Sequence, residues 1–419
     1  MERIKSLYVS TAAGQSGVLF KDAQHQFLYD PDLLVSEDRR REVSLIMPLR
    51  TDPWRTNPML PVFQTFLPEG YLKDRIETKF GKLIKMDDMA LLAMSGGNSI
   101  GRLQVSVSKD RPSDASGVES LHEIMSDQRG RDLFEYLSDK YLIGTAIAGV
   151  QPKVVVPVES QAEAVDDALR NKGSLGDRTT LRVKQVIVKI DGGEYPGVSE
   201  NEYHCLSIAA KCTGLLDVPT FTLSNDLRRL AIERFDRGRS GQYLGFEDMV
   251  ALQGRVNREK YDGSYEMVAK TIKDTCSPSL LRSSLLHFYT SIVLAVVLRN
   301  GDAHLKNFGM LYTDPATDDC RLSPIFDQVC TTAYIEKDLM ALTLNKSKSW
   351  PSRATLEEFG SQTCEIRSPR EVIDQVLDAV AEYRPDMQGP VWTDLQKIFS
   401  GNSSFLSLKF FPMPVVRPK

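Results

Sequence analysis

The feature that most constrains this chain is an apolar segment of helical length that ends in a polar loop. From Leu280 to Leu298 apolar residues recur at helical spacing, with Leu281, Leu285, Phe288, Ile292 and Val296 along one face. Asn300-Gly301 is expected to stop the helix, because asparagine and glycine tolerate the left-handed backbone that a sharp exit needs. Asp302 follows at once, and Asn307 lies five positions later in Gly301-Asp-Ala-His-Leu-Lys-Asn-Phe308. A strand over 308–312 and a polar turn over 313–319 then lead to Asp327 in Ser323-Pro-Ile-Phe-Asp-Gln328. Asparagine, glycine and aspartate after a helix can be plain turn formers. A second aspartate in sequence behind them weakens that account.

The D-x-x-x-x-N spacing has a chemistry attached. In phosphoryl transfer of the protein-kinase type, an aspartate accepts or orients the attacking hydroxyl and an asparagine on the same loop lends an oxygen to magnesium. A further aspartate after a short hairpin completes the metal site. Asp302, Asn307 and Asp327 fit those three parts in order.

Composition excludes several classes. A chain of 419 residues can hold two or three packed units, and 26% charged with 42% hydrophobic residues is ordinary for a globular protein. A formal net charge of −4 offers no electrostatic case for nucleic-acid binding by the chain as a whole. The longest unbroken apolar run, Ile292–Leu298, is far short of a bilayer span, so no membrane association is expected. The first residues, Met1-Glu-Arg-Ile-Lys-Ser6, carry no apolar signal core. Cys205, Cys212, Cys276, Cys320, Cys330 and Cys364 form no C-x-x-C pair and read as reduced thiols of a cytoplasmic protein.

Taken in order, the first hundred residues read as a small α/β unit. Strands are expected at 7–10, 17–21, 26–29 and 44–49, helix within 61–80, and another strand at 102–107. Ser95-Gly-Gly-Asn-Ser-Ile-Gly101 invites a phosphate-loop reading, but it precedes a strand and lacks the Lys-Ser/Thr pair, so a structural turn is the better account. Lys109–Gly117 reads as a linker and 130–142 as a helix. Ile143-Gly-Thr-Ala-Ile-Ala-Gly-Val-Gln-Pro-Lys153 then reads as strand, tight turn, strand, whose N–H groups could bind phosphate or merely close a hairpin. Residues 159–182 look like an inserted loop, and 185–190 is a strand whose one charge is Lys189. That lysine could discourage edge aggregation or grip nucleotide phosphates. Glu200-Asn-Glu-Tyr203 opens a helix able to bring a carboxylate to it. Strands at 217–223 and 229–235 follow, and from Gly238 the pattern is mainly helical.

In this order the chain resembles the HipA-like kinases, the toxin component of bacterial HipBA-type toxin–antitoxin pairs. The resemblance rests on Ala148-Gly-Val-Gln-Pro-Lys153, Val188-Lys-Ile190, Asn201-Glu-Tyr203, Ala231-Ile-Glu-Arg-Phe-Asp-Arg237, Gly301–Phe308 and Pro324-Ile-Phe-Asp327. It implies an α+β, two-lobed protein-kinase-like fold with an additional N-terminal α/β unit: residues 1–108, a strand-rich lobe at 109–237 and a helical lobe at 238–419. It also implies an ATP- and Mg²⁺-dependent serine/threonine kinase. Asp302 would be the base, Asn307 and Asp327 the metal ligands, and Lys306 a candidate to reach the transferring phosphoryl. Ala148, Gly149, Val150, Gln151 and Lys153 would form the phosphate loop, with Lys189 on the phosphates and the backbone of Glu233 and Phe235 on adenine. His304 reads as packed structurally. The implied partners are a DNA-binding HipB-like antitoxin, with DNA reached only through it, and a protein substrate such as an aminoacyl-tRNA synthetase.

One position departs from the resemblance. Where a well-known branch of the family carries an autophosphorylated serine, this chain has Ala146, so self-inactivation of that form is not expected; Thr145 is the adjacent hydroxyl. Two other readings compete: a small-molecule phosphotransferase of aminoglycoside-kinase type, and a non-catalytic co-repressor that acts by binding the antitoxin. The intact Lys189, Asp302, Asn307 and Asp327 argue against the second.

Overall fold

The computed structural model describes residues 3–82, 84–97, 99–109, 118–127, 131–141, 151–159, 183–238 and 241–406. Short strands punctuated by glycine build the first sheet: β1 (Ser6–Thr11), β2 (Gly14–Lys21), β3 (His25–Tyr29), β4 (Trp54–Thr56) and β5 (Gln104–Ser106). They pair antiparallel in the order β4-β3-β2-β1-β5. Alternation along β1 turns Leu7 and Val9 onto a core with Leu19, Phe27, Phe63, Met89 and Leu92. Residues 44–49, expected as a strand, are irregular. Ser44 Oγ and the Leu45 N–H both donate to the buried Glu247 carboxylate, a side-chain bonding pattern that replaces a sheet ladder.

The second sheet has β6 (Lys153–Glu159), β7 (Val183–Ile190), β8 (Phe221–Leu223) and β9 (Arg229–Glu233) in the order β6-β7-β9-β8, all antiparallel. Val154, Val156, Val158, Val186, Val188 and Ile190 form one face and pack on Leu133, Leu137 and Tyr141 of helix Arg131–Tyr141. The period of two then sends Lys153 and Lys189 to the opposite face.

Beyond residue 238 helices dominate, as expected, but they enclose a third sheet: β10 (Gly245–Asp248), β11 (Gly309–Tyr312) and β12 (Arg321–Leu322), in that order. Only β11 was expected. β10 was missed because the residues from Gly238 read as mainly helical, and the charged Glu247 and Asp248 give it no apolar strand pattern. Both are buried, Glu247 bonded to Ser44, Leu45 and Tyr312 and Asp248 to the Ala251 N–H.

The central helix, Leu281–Leu298, is buried on nearly every side rather than along the one expected face. Helices Tyr265–Thr275, Pro369–Glu382 and Pro390–Leu406 and strand β12 pack around it. With its preceding turn it is long and apolar enough to cross a bilayer, contrary to the expectation drawn from unbroken runs, yet it lies mostly inside the fold. Burying Leu285, Phe288, Ile292 and Val296 alone contributes about 8 kcal/mol, the scale of a domain's whole net stability. The loop that follows therefore starts from a fixed base.

Candidate active site

The loop begins at Arg299, which makes the left-handed exit at φ 57° and ψ 47°. This corrects the assignment of that conformation to Asn300-Gly301. The strain of a non-glycine residue there, about 1–2 kcal/mol, is offset by what holds the side chain. The guanidinium sits 4.7 Å over the Trp350 ring, and its Nε donates to Asn402 Oδ1 at 2.7 Å. Gly301 answers a packing need instead, since a Cβ there would lie 2.6 Å from the Leu339 carbonyl oxygen. Asn300 Oδ1 then accepts the Asp302 N–H at 3.1 Å, and Asn307 Oδ1 accepts the His304 N–H at 3.1 Å, closing the short turn Leu305–Asn307.

Asp302 accepts a hydrogen bond from the Tyr261 hydroxyl at 2.8 Å. The Asp302 side chain is open to solvent at the cleft; desolvation by the surrounding cleft walls still raises its carboxyl pKa above the ordinary value, against the opposing pull of Tyr261 and Lys260, which favours proton acceptance. His304 packs its ring 5.1 Å from that of Tyr261. Burial chiefly drives its pKa down to about 3, so it is neutral at physiological pH and packed, as expected.

Asp327 takes a left-handed backbone at φ 52°. Its carboxylate pairs with Lys189 and lies 3.8 Å from Lys153 Nζ. Glu202, on helix Val198–Lys211, grips Lys189 from the other side at 2.6 and 2.8 Å. Of the two acids that open that helix, Glu202 is thus the one that reaches the lysine; Glu200 instead accepts the N–H groups of Gly389 and Trp392. Burial disfavours both charges of the Lys189–Asp327 pair. The two lysines nevertheless hold the Asp327 carboxyl below the usual carboxylate range, and Asp327 with Glu202 raises Lys189. Lys153 goes the other way: burial lowers its pKa, and Lys189 opposite adds to that.

Asp302, Asp327, Lys153 and Lys189 line one cleft of about 700 Å³, with Glu202 buried behind it. It gathers Gln151, Lys153, Lys189, Glu233, Phe235, Asp302, Lys306, Asn307 and Asp327, every described residue expected at the site. Ala148, Gly149 and Val150 lie outside the described residues, as do Thr145 and Ala146, so the expected phosphate loop is represented by Gln151 and Lys153. One part of the cleft is charged; another is apolar, where Phe235 lies 5.6 Å from Phe246 and 5.5 Å from Phe326, beside Ile187 and Ile232. Such a slot suits a planar aromatic base. The Glu233 carboxylate is engaged with Lys184 at 3.1 Å, which leaves its backbone for any contact inside.

The described residues at the end of the 95–101 stretch serve packing between units. The Gly101 N–H donates to Asp236 Oδ2 at 2.6 Å and the Ser99 carbonyl accepts from Arg234 at 2.8 Å, docking the first unit on the segment that follows β9. Gly101 stands at φ 96°, where a side chain would be strained. Two cleft contacts had no clear sequence signal, Tyr261 on Asp302 and Glu69, which pairs with Lys306 at 2.8 Å; for Lys189 the sequence pointed to the helix opened by Glu200-Asn-Glu-Tyr203 without choosing between its two acids.

Among the described residues no three His, Cys, Asp or Glu side chains cluster to hold a metal ion. Asn307 and Asp327 offer two oxygen donors, which fits Mg²⁺, an ion commonly held by one or two protein ligands together with substrate phosphates.

A family profile of the HipA-like C-terminal domain matches residues 145–384, and one of the HipA N-terminal domain matches residues 7–106. A protein of Sinorhizobium fredii (strain NBRC 101917 / NGR234) named as a candidate kinase is 31% identical over 215 residues, 47% of this chain and 50% of its own. The chain thus spans half the length of that relative. A second candidate kinase of the same organism is 27% identical over 344 residues, 78% of this chain and 76% of its own. HipA of Shewanella oneidensis MR-1, solved with HipB and operator DNA, superposes with a TM-score of 0.61 at 16% identity, covering 96% of this chain and 95% of that one. At that identity the likeness is one of fold, and it extends from the first sheet to the last helices. Matched in both its N-terminal and its C-terminal parts, the chain belongs to the HipA-like kinase family.

Proposed function

We propose that this protein is an ATP- and Mg²⁺-dependent serine/threonine protein kinase that acts in the cytoplasm as the toxin of a HipBA-type pair. The observation that carries the reading is the convergence of Lys189, Asp302, Asn307 and Asp327 on one cleft that also has an apolar slot. Asp302, its basicity raised by desolvation from the cleft walls, takes the proton of the attacking hydroxyl. Lys189 and Lys153 face the phosphates and offset their charge, and Lys306 lies one residue before Asn307 on the same loop. Asn307 and Asp327 would hold Mg²⁺, which supplies further neutralisation of the phosphate oxygens. A HipB-like, DNA-binding antitoxin is the natural partner, with DNA reached through it, and an aminoacyl-tRNA synthetase or other translation component is the expected substrate.

The test is labelled-phosphate transfer in a cell extract, wild type against Asp302→Gln, with the phosphosites identified. Transfer to a protein hydroxyl by the wild type alone is expected, together with growth arrest on overproduction that requires Asp302. Transfer to small acceptors instead, or equal toxicity of both forms, would overturn the reading.

A further inference from the structure

A phosphotransferase cleft needs two walls, yet a third part of the molecule reaches this one. The N-terminal unit contributes Glu69, whose carboxylate meets Lys306 Nζ at 2.8 Å. The side chain of Lys306 is 5% exposed and that of Glu69 24%, so the pair is largely withdrawn from water. Glu69 occupies the position just before helix Gly70–Phe80, where side chains usually cap the first turn. It makes no capping bond and turns across the cleft instead. Gly70, at φ 49°, sets the backbone at that corner. Nearby, Gln64 ties the same segment to the helical lobe: its Oε1 accepts the Asn257 N–H at 3.0 Å and its carbonyl accepts Asn257 Nδ2 at 2.9 Å. Burial works against the Glu69 charge, but Lys306, followed by Lys260 and Lys153, holds the carboxyl below its ordinary pKa.

Lys306 also interacts electrostatically with a second acid. Asp248 is buried in the same cleft and already caps the helix Met249–Leu252 through the Ala251 N–H. Of these two acids it is Glu69 that bonds the ammonium, on the loop that carries Asp302 and Asn307.

We propose that Glu69 is a positioning residue for phosphoryl transfer: it holds the Lys306 ammonium where the transferring phosphoryl passes, so the N-terminal unit completes the active site. This rests on the phosphotransferase reading above. The experiment uses the full chain and measures kcat and KM for ATP in phosphate transfer. Glu69→Gln keeps the shape and removes the charge; it should lower kcat about tenfold or more and leave KM within about twofold, because misplacing a group that acts in the transition state costs rate rather than ground-state binding. Glu69→Asp should recover part of the loss. Glu69→Gln added to Lys306→Ala should cost nothing further, since the two act as one. Gln64→Ala loosens the docking that sets Glu69 in place and should lower kcat less than Glu69→Gln does, and not at all once Lys306 is alanine. An active wild type with Glu69→Gln equal to it overturns the proposal, as does a Gln64→Ala loss that persists beside Lys306→Ala, which would assign the effect to docking alone. Additive losses in the double variant overturn it too. A wild type that transfers no phosphate overturns the underlying function and this inference with it, an outcome distinct from the others.

Discussion

The two walls of the cleft place their charges by opposite means. On the strand wall register does it: Lys153 and Lys189 sit directly across from each other on β6 and β7, a like-charge pair that is unfavourable when left alone. On the helical wall irregular backbone does it, through the left-handed Arg299 and Asp327 and the short turn at Leu305–Asn307. The strand wall cannot neutralise itself. It borrows Asp327 from across the cleft and Glu202 from the helix behind it. Asp302 is fixed within its own wall, by Asn300 and Tyr261. A change at Asp302 should therefore stay local, whereas a change at Asp327 should be felt on both sides.

Four substitutions test that asymmetry. Asp302→Asn should have the largest effect, a loss of transfer of about 10³-fold from removing the base, with the melting temperature essentially unchanged. A large fall in melting temperature would show that the helical wall is not self-sufficient. Asp327→Asn should cost about 10²-fold in rate and also lower the melting temperature, because two buried lysines lose their shared counter-charge. The sign with pH follows from the depressed pKa of Asp327: its stabilisation is fully present above the unfolded value of about 3.9 and is lost as pH falls through the lower folded value. The stability deficit of Asp327→Asn should thus be full at neutral pH and shrink in acid, as read by denaturant unfolding at several pH values. Glu202→Gln should raise KM for ATP about tenfold, since Lys189 would keep one partner and lose its fixed direction. The smallest effect belongs to Tyr261→Phe. Its hydroxyl stabilises ionised Asp302, so removing it raises that pKa further and should move the acid limb of the kcat/KM profile up by about half a pH unit. A downward shift would mean that Asp302 does not set that limb.

The same asymmetry marks what could be read from the residues alone. Asp302, Asn307 and Asp327 were legible because their spacing on one loop and one hairpin is local. Lys189 was legible as the one charge within 185–190, although the strand also carries Lys184 at its start. Tyr261 and Glu69 were not, because their partners lie 41 and 237 positions away and no periodicity encodes such a contact. β10 and the irregular 44–49 segment failed for one shared reason. The Glu247 carboxylate that denies β10 an apolar strand pattern is the acceptor that draws 44–45 out of a sheet. The central helix was found at nearly its observed length, but its burial on all sides depends on helices far along the chain. The stop at Asn300-Gly301 was located correctly and explained wrongly, since a crowded Cβ position gives the same sequence signal as a left-handed turn.

Arg299 carries a consequence for the far end of the chain. Its grip on Asn402 makes the tail helix Pro390–Leu406 a stay for the pivot from which Asp302 is aimed, and Asn402 also ties back to the Val297 carbonyl at 3.2 Å. The same helix starts on Glu200, two residues from the acid that holds Lys189. A protease nick ahead of Asn402 would leave every cleft side chain in the molecule and still slacken the line that points it. The helix Pro390–Leu406 is thus a second place, outside the cleft, at which the aim of Asp302 is set.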